Sequence, residues 1–293
     1  MRVIENNVLK VTVADAGAEL SSVFDKETQT ERMWNADPDV WNRHAPILFP
    51  FVGRVTGGVY RYDGKEYEMK TQHGFARDMV FECVEETETS VTHRLLPTEA
   101  TRAIYPFEFA LFVTHAFDTE NPRKLRITWA VKNNGTGEML YCIGAHPGFT
   151  VPTEKDSDKE NYYFELPGRE NLDYIQVSPT SGFAVPDVHY PLKTENGFFK
   201  FSDAVYDTII FDTNIDTVRI ARPDRTPYVT MECGDFPFFA IWTKKTGNFI
   251  CLEPWVGRTD DDGFTRNVNE KASIVTLAAG EEKKISHSIE FHK

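Results

Sequence analysis

The 293 residues are 41% hydrophobic and 26% charged, a balance that fits a folded globular chain long enough to bury a core without covalent staples. The net charge of −13 excludes the basic surface that nucleic acid or an anionic membrane demands. It leaves room for an anionic small molecule, since a few arginines reverse the field inside one cleft.

Period-2 and short apolar segments follow one another along the chain. Residues 8–13 open the pattern. Asp37-Pro38-Asp39-Val40-Trp41 sets a capping Asp before a Pro and predicts a short helix start. Residues 59–62 and 65–69 flank Asp63-Gly64, which predicts a hairpin with a type I′ turn. Residues 107–117 are apolar on both faces, as a strand between two packed sheets requires. Residues 124–132 alternate, and Asn133-Asn134-Gly135 turns the chain so that 139–143 returns antiparallel. Further strands are predicted at 208–211, 218–221, 228–231, 238–242, 249–252, 274–277 and 285–291. With 16 Pro, 18 Gly and no long 3.6-residue period, the chain reads as all-β, a large antiparallel sandwich forming one domain over residues 1–293.

Four cysteines, Cys83, Cys142, Cys233 and Cys251, lack C-x-x-C spacing and sit in apolar runs, so they read as buried free thiols. No secretory leader follows Met1-Arg2 and no run is long enough for a membrane span. The expectation is a reduced, cytoplasmic protein. No metal-ligand spacing of histidines, phosphate loop, dinucleotide fingerprint or nucleophile elbow is present, so the chemistry is expected to need neither metal nor cofactor.

One stretch, residues 249–258, is out of character for a core. An apolar run delivers a carboxylate, Glu253, and then stops at Pro254, which is expected to block further pairing, with Trp255 beside it. Burying a lone charge is expensive. Glu253 therefore either pairs with Arg258 or another arginine, or faces a cavity whose other residues explain it. Three clusters supply candidates. Residues 44–54 form an irregular, proline-interrupted apolar wall ending in Gly53-Arg54. In Gln72-His73-Gly74-Phe75-Ala76-Arg77 the glycine permits a turn that aims His73 and Arg77 inward. In Gly144-Ala145-His146-Pro147-Gly148-Phe149 a strand again ends in a histidine followed by Pro and Gly. His115, by contrast, falls mid-strand, in phase with Leu111, Val113 and Phe117, and reads as a core or inner-wall histidine. His93, His189, His287 and His292 lie in polar or terminal contexts and receive no role.

At these segments the sequence resembles the aldose 1-epimerase (galactose mutarotase-like) family, in its LacX-like and hexose-6-phosphate-mutarotase-like branch. The matching stretches are Pro46 to Pro50 with Gly53-Arg54, His73-Gly74-Phe75-Ala76-Arg77, His146-Pro147-Gly148-Phe149, Asp207-Thr208-Ile209-Ile210-Phe211 and Leu252-Glu253-Pro254-Trp255. The resemblance implies a β-supersandwich and interconversion of sugar anomers, with Glu253 as general base and His146 as general acid. It further implies that His73, Arg54 and Asp207 bind the sugar, and that Arg77 belongs to an anion site in the phosphate-using branch. Trp255 offers the sugar a stacking face and a drier setting that raises the Glu253 pKa. Two other readings stand beside this one. A glycoside hydrolase would pair Glu253 with a second carboxylate such as Asp207, and a silent sugar-binding module would keep the fold without the reaction. A neutral hexose is favoured over a hexose phosphate as substrate.

Overall fold

The computed structural model describes residues 1–151, 159–200 and 208–293. A nine-stranded antiparallel sheet runs edge to edge through Phe198–Lys200, Tyr163–Glu165, Thr217–Ala221, Pro227–Glu232, Glu282–Phe291, Lys124–Asn133, Phe109–Phe117, Ser90–Leu95 and Glu82–Glu86. The second sheet runs through Tyr190–Lys193, Asn171–Gln176, Ile209–Phe211, Phe238–Trp242, Phe249–Val256, Ile143–Ala145 and Ile47–Leu48, with Gly148–Thr150 also paired to Phe249–Val256. Inward side chains of both sheets, among them Leu111, Val131, Phe211, Ile241 and Leu252, share one apolar core. Burying each such side chain contributes about 1.5–3 kcal/mol. The all-β sandwich expected from the sequence is the fold observed.

The predicted hairpin forms between Val59–Tyr62 and Lys65–Glu68, and Asp63 and Gly64 take φ of 49° and 70°, the positive values a type I′ turn needs. Lys124–Asn133 pairs with Phe109–Phe117 on one side and Glu282–Phe291 on the other, burying Leu125, Ile127, Trp129 and Val131.

Several expectations are corrected. The segment after Asp37 makes one hydrogen-bonded turn, with Val40 and Trp41 donating to the Asp37 carbonyl, and no helix follows. The six-residue helix Glu99–Ile104, capped by the Thr98 side chain, lies in a segment where none was expected. Residues 139–143 do not return along their predecessor. Met139–Tyr141 pairs with Val275–Leu277, and Ile143–Ala145 crosses into the second sheet. Cys83 is partly exposed, while the other three cysteines are buried and free.

The most consequential correction concerns Pro254. The strand does not stop at Glu253 but continues to Val256, buried at all eight positions. Gly148–Thr150 pairs with residues 249–251 and Ile143–Ala145 with 255–256, so residues 252–254 face the break between two short strands. A proline is tolerated there because no ladder partner on that side needs its N–H. The same break holds the turn that carries His146.

Candidate active site

Alternation along Phe249–Val256 sends Ile250, Leu252 and Val256 into the inter-sheet core. Phe249, Cys251, Glu253 and Trp255 therefore share the opposite face, where loops enclose a cavity of about 330 Å³. The neighbouring strand sets small Ala240 opposite Glu253, which leaves space above the carboxyl. Glu253 is 1% exposed, and neither of its oxygens has a hydrogen-bond partner. Burial pushes its pKa well above the usual carboxylate range, and the nearby Trp255 indole opposes this only weakly, without a well-formed hydrogen bond.

His146 projects from the turn in the ladder break, and its Nε2 stands 3.4 Å from Glu253 Oε2, close but not aligned as a hydrogen bond. Trp41 packs at 4.9 Å and Trp242 edge-on at 5.2 Å between ring centroids, so the imidazole sits in an aromatic sleeve. Burial lowers the His146 pKa to about 3; its own backbone raises it slightly and the Arg77 charge lowers it further. Burial thus favours the neutral form of each group, so in that state the pair shares one proton, carried by the carboxyl.

His73 meets His146 ring to ring at 5.5 Å, perpendicular. Its left-handed backbone (φ 67°) and that of Gly74 (φ 70°) fold the segment under Phe49, whose carbonyl oxygen would lie 2.3 Å from any Cβ at position 74. The Gly53 N–H donates to His73 Nδ1 at 3.0 Å. With Nδ1 accepting, the neutral ring carries its proton on Nε2, and the Gln72 amide 3.0 Å away must present its oxygen there. Burial, then the neighbouring His146, Arg77 and Arg54, keep the ring neutral by pushing its pKa well below the ordinary value.

Arg54 and Arg77 also line the cavity. The Arg54 segment is fixed by its backbone N–H donating to Thr259 Oγ1 at 3.1 Å, and Gly182 lies against its guanidinium, where a Cβ would sit 3.1 Å from Nη1. Arg77 rides on the 3-10 turn Ala76–Asp78, with only a 3.9 Å approach to Asp78, itself engaged by Arg43. Burial lowers the Arg77 pKa, as expected for a guanidinium held in a partly dry wall. Trp255 borders the cavity opposite Gly144.

Six of the seven residues singled out from the sequence, Glu253, His146, His73, Arg54, Arg77 and Trp255, thus meet in one cavity. Asp207 lies outside the described residues; the adjacent Thr208 lines the cavity. Arg258 does not pair with Glu253. It bonds Asp261 and the Thr259 carbonyl and lies 5.8 Å over the Phe238 ring. His115 is buried in the core, where desolvation takes its pKa to about 3. His93 and His287 are also buried, against the polar settings expected. Sequence reasoning missed Trp41, Trp242 and Lys244 as cavity residues. Trp242 was within reach, since it is in register with Cys251 and hence on the Glu253 face.

The aldose 1-epimerase family profile matches residues 2–290. The chromosomal protein LacX of Lactococcus lactis subsp. lactis is 29% identical over 98% of this chain and 97% of its own. Among solved structures, a galactose mutarotase related enzyme from Lactobacillus acidophilus superposes with a TM-score of 0.93 at 34% identity, covering 100% of this chain and 97% of its own. A galactose mutarotase-like protein from Lactobacillus casei gives 0.90 at 29% identity over 100% of both chains. A profile match along nearly the whole chain, joined to a close structural relative above 30% identity, assigns the protein: it belongs to the aldose 1-epimerase family, in its LacX-like branch.

Proposed function

We propose that this sugar isomerase interconverts the α and β anomers of a hexose with Glu253 as general base and His146 as general acid, working as a single domain in a reducing, cytoplasmic setting. The observation that carries the reading is the 3.4 Å approach of the His146 imidazole to a buried carboxyl without a hydrogen-bond partner, both lining a cavity of sugar size. A sugar hydroxyl bonding to the carboxyl supplies the solvation that burial removed, which moves the shared proton to His146 without net uptake. Glu253 then takes the proton from the anomeric O1 while His146 protonates the ring O5. The C1–O5 bond breaks, the open aldehyde rotates about C1–C2, and the steps reverse on the other face. Each proton returns to its donor, so nothing is oxidised or transferred. Each acid–base group contributes about 10²–10⁴-fold.

A sugar hydroxyl displaces Gln72 to accept the His73 Nε2 proton, Arg54 and Asp207 take hydroxyls, Trp255 provides an apolar wall and Arg77 closes one side. A two-carboxylate hydrolase would leave His146 and His73, which both line the cavity beside Glu253, without a role. The test is polarimetry of freshly dissolved α-D-glucose and α-D-galactose. The parent should speed equilibration, and Glu253→Gln and His146→Ala should not; equal rates in all three proteins would rule out this mechanism. Sugar binding without any acceleration would mark a silent binding module instead.

A hexose 6-phosphate is the second reading, favoured by Arg54, Arg77 and Lys244 gathering on one cavity in a chain of net charge −13. Rates on glucose and glucose 6-phosphate at low salt, before and after Arg77→Ala, separate the two. Loss confined to the phosphorylated sugar identifies a phosphate site, and unchanged rates on both remove it.

A further inference from the structure

Directly beneath the cavity, fully buried behind Glu253 and His146, lies a side chain that proton transfer does not use. Cys251 precedes Glu253 by two residues on the same strand, so both point to the same face. Its Sγ, an imidazole nitrogen of His146 and a carboxylate oxygen of Glu253 all lie within 4.8 Å of one another, and all three residues are buried. Both Glu253 oxygens are without hydrogen-bond partners at 1% exposure, so neither is held by another group.

We propose that this floor is also a binding site for a borderline-soft divalent cation of the zinc class, held by Cys251, His146 and Glu253, and that occupancy switches the isomerase off. One sulfur, one nitrogen and one oxygen ligand are a set that zinc accepts in tetrahedral geometry, and a thiolate with an imidazole discriminates against magnesium and calcium. Ligand bonds of about 2.0–2.3 Å draw the three atoms closer than they stand now, by side-chain adjustments of about 1 Å. The fourth position opens into the cavity for a water or a sugar hydroxyl. Binding displaces the Cys251 thiol proton and the Glu253 carboxyl proton, and the two anionic ligands then balance the dication. With the imidazole nitrogen and the carboxylate committed to the metal, neither can exchange a proton with sugar. The inhibitory half of this proposal rests on the acid–base roles assigned above; the binding half does not.

Cobalt(II) is the probe, because a cobalt–thiolate bond produces a near-ultraviolet charge-transfer band that imidazole and carboxylate alone do not. The full-length protein should show the band at one cobalt per chain, zinc should displace it, and zinc should suppress polarimetric activity over the same concentration range. Cys251→Ala should keep its metal-free activity, lose the band and need at least about tenfold more zinc for the same inhibition, since losing even a hydrogen-bond partner of a metal ligand costs about 10–100-fold in affinity. Cys251→Val serves if the alanine variant does not fold, and Cys83→Ala controls for the partly exposed thiol. Absence of the band in the parent, its loss in Cys83→Ala, or unchanged zinc sensitivity at position 251 would each overturn the proposal. A band without mutarotation in the metal-free parent would leave the site standing and overturn the acid–base reading instead.

Discussion

Gly144 and Trp255 are partners on one rung of the second sheet, and a Cβ on the glycine would lie 2.6 Å from the indole Cδ1. The glycine is there to admit the indole. Gly144→Ala must push Trp255 towards the cavity, because the opposing contact is a side chain in a filled layer. Overpacking of this kind costs about 1–3 kcal/mol, and misplacing a wall of the site by about 1 Å costs up to about 100-fold in rate. Thermal unfolding and polarimetric rates on the variant should both fall.

The Gly53 N–H into His73 Nδ1 fixes the tautomer of that histidine. Nitrogen-15 spectra of the labelled protein at pH 7 should show His73 neutral with its proton on Nε2. A Nδ1-protonated ring would contradict the geometry. His73→Phe loses both the Nε2 donor and the Nδ1 acceptor of the Gly53 N–H, and should raise KM more than it lowers kcat.

Glu253 is buried with both oxygens unsatisfied, an arrangement that costs stability in return for reactivity. Glu253→Gln should therefore lose about 10²-fold or more of the activity while the melting temperature at pH 7 rises. A fall in melting temperature would show that the carboxyl has a structural partner after all.

Burial holds His287 at about 3 against an ordinary 6.5, with its Nδ1 unpartnered and Trp129 and Phe236 packed on the ring. The folded chain thus refuses a proton that the unfolded chain accepts. Between these two pKa values the unfolded state binds more protons, so stability is full above pH 6.5 and falls as pH drops towards 3. His287→Gln should make the slope of unfolding free energy against pH shallower in that window, by at most about 1.4 kcal/mol per pH unit. Urea titrations at several pH values measure it.

Lys271 and Asp260 form an ion pair with side chains only 3% and 4% exposed, and Asp260 Oδ2 also accepts the Thr56 N–H at 2.8 Å. The Asp260 N–H donates to the Arg54 carbonyl at 3.1 Å, so the pair anchors the segment that presents Arg54 to the cavity. Lys271→Met strands a buried carboxylate and should cost about 3–5 kcal/mol. Sugar KM should rise as Arg54 loosens.

Much of this was readable in the amino-acid order because the signals were local. A proline or glycine next to a titratable group marks a backbone irregularity, and His73, His146 and Arg54 all lie beside one. Strand alternation carried the architecture in the same way. What failed depended on distant partners. Pro254 looks like a strand terminus until the two short strands across from it are known to leave a break there. Residues 139–143 carry no mark of crossing between sheets. Trp41 and Trp242 look like ordinary apolar residues, since only the fold shows that their rings enclose His146. Arg258 was equally ambiguous, because its partner Asp261 is no more acidic by sequence than Glu253.

The break in the ladder has a consequence for what this site can process. Glu253 and His146 stand on segments that meet at that break, so their 3.4 Å approach is set by how the turn seats against the strand. A span this short suits a proton exchange between two oxygens attached to one carbon, which is the relation between O1 and O5 at the anomeric centre of a sugar.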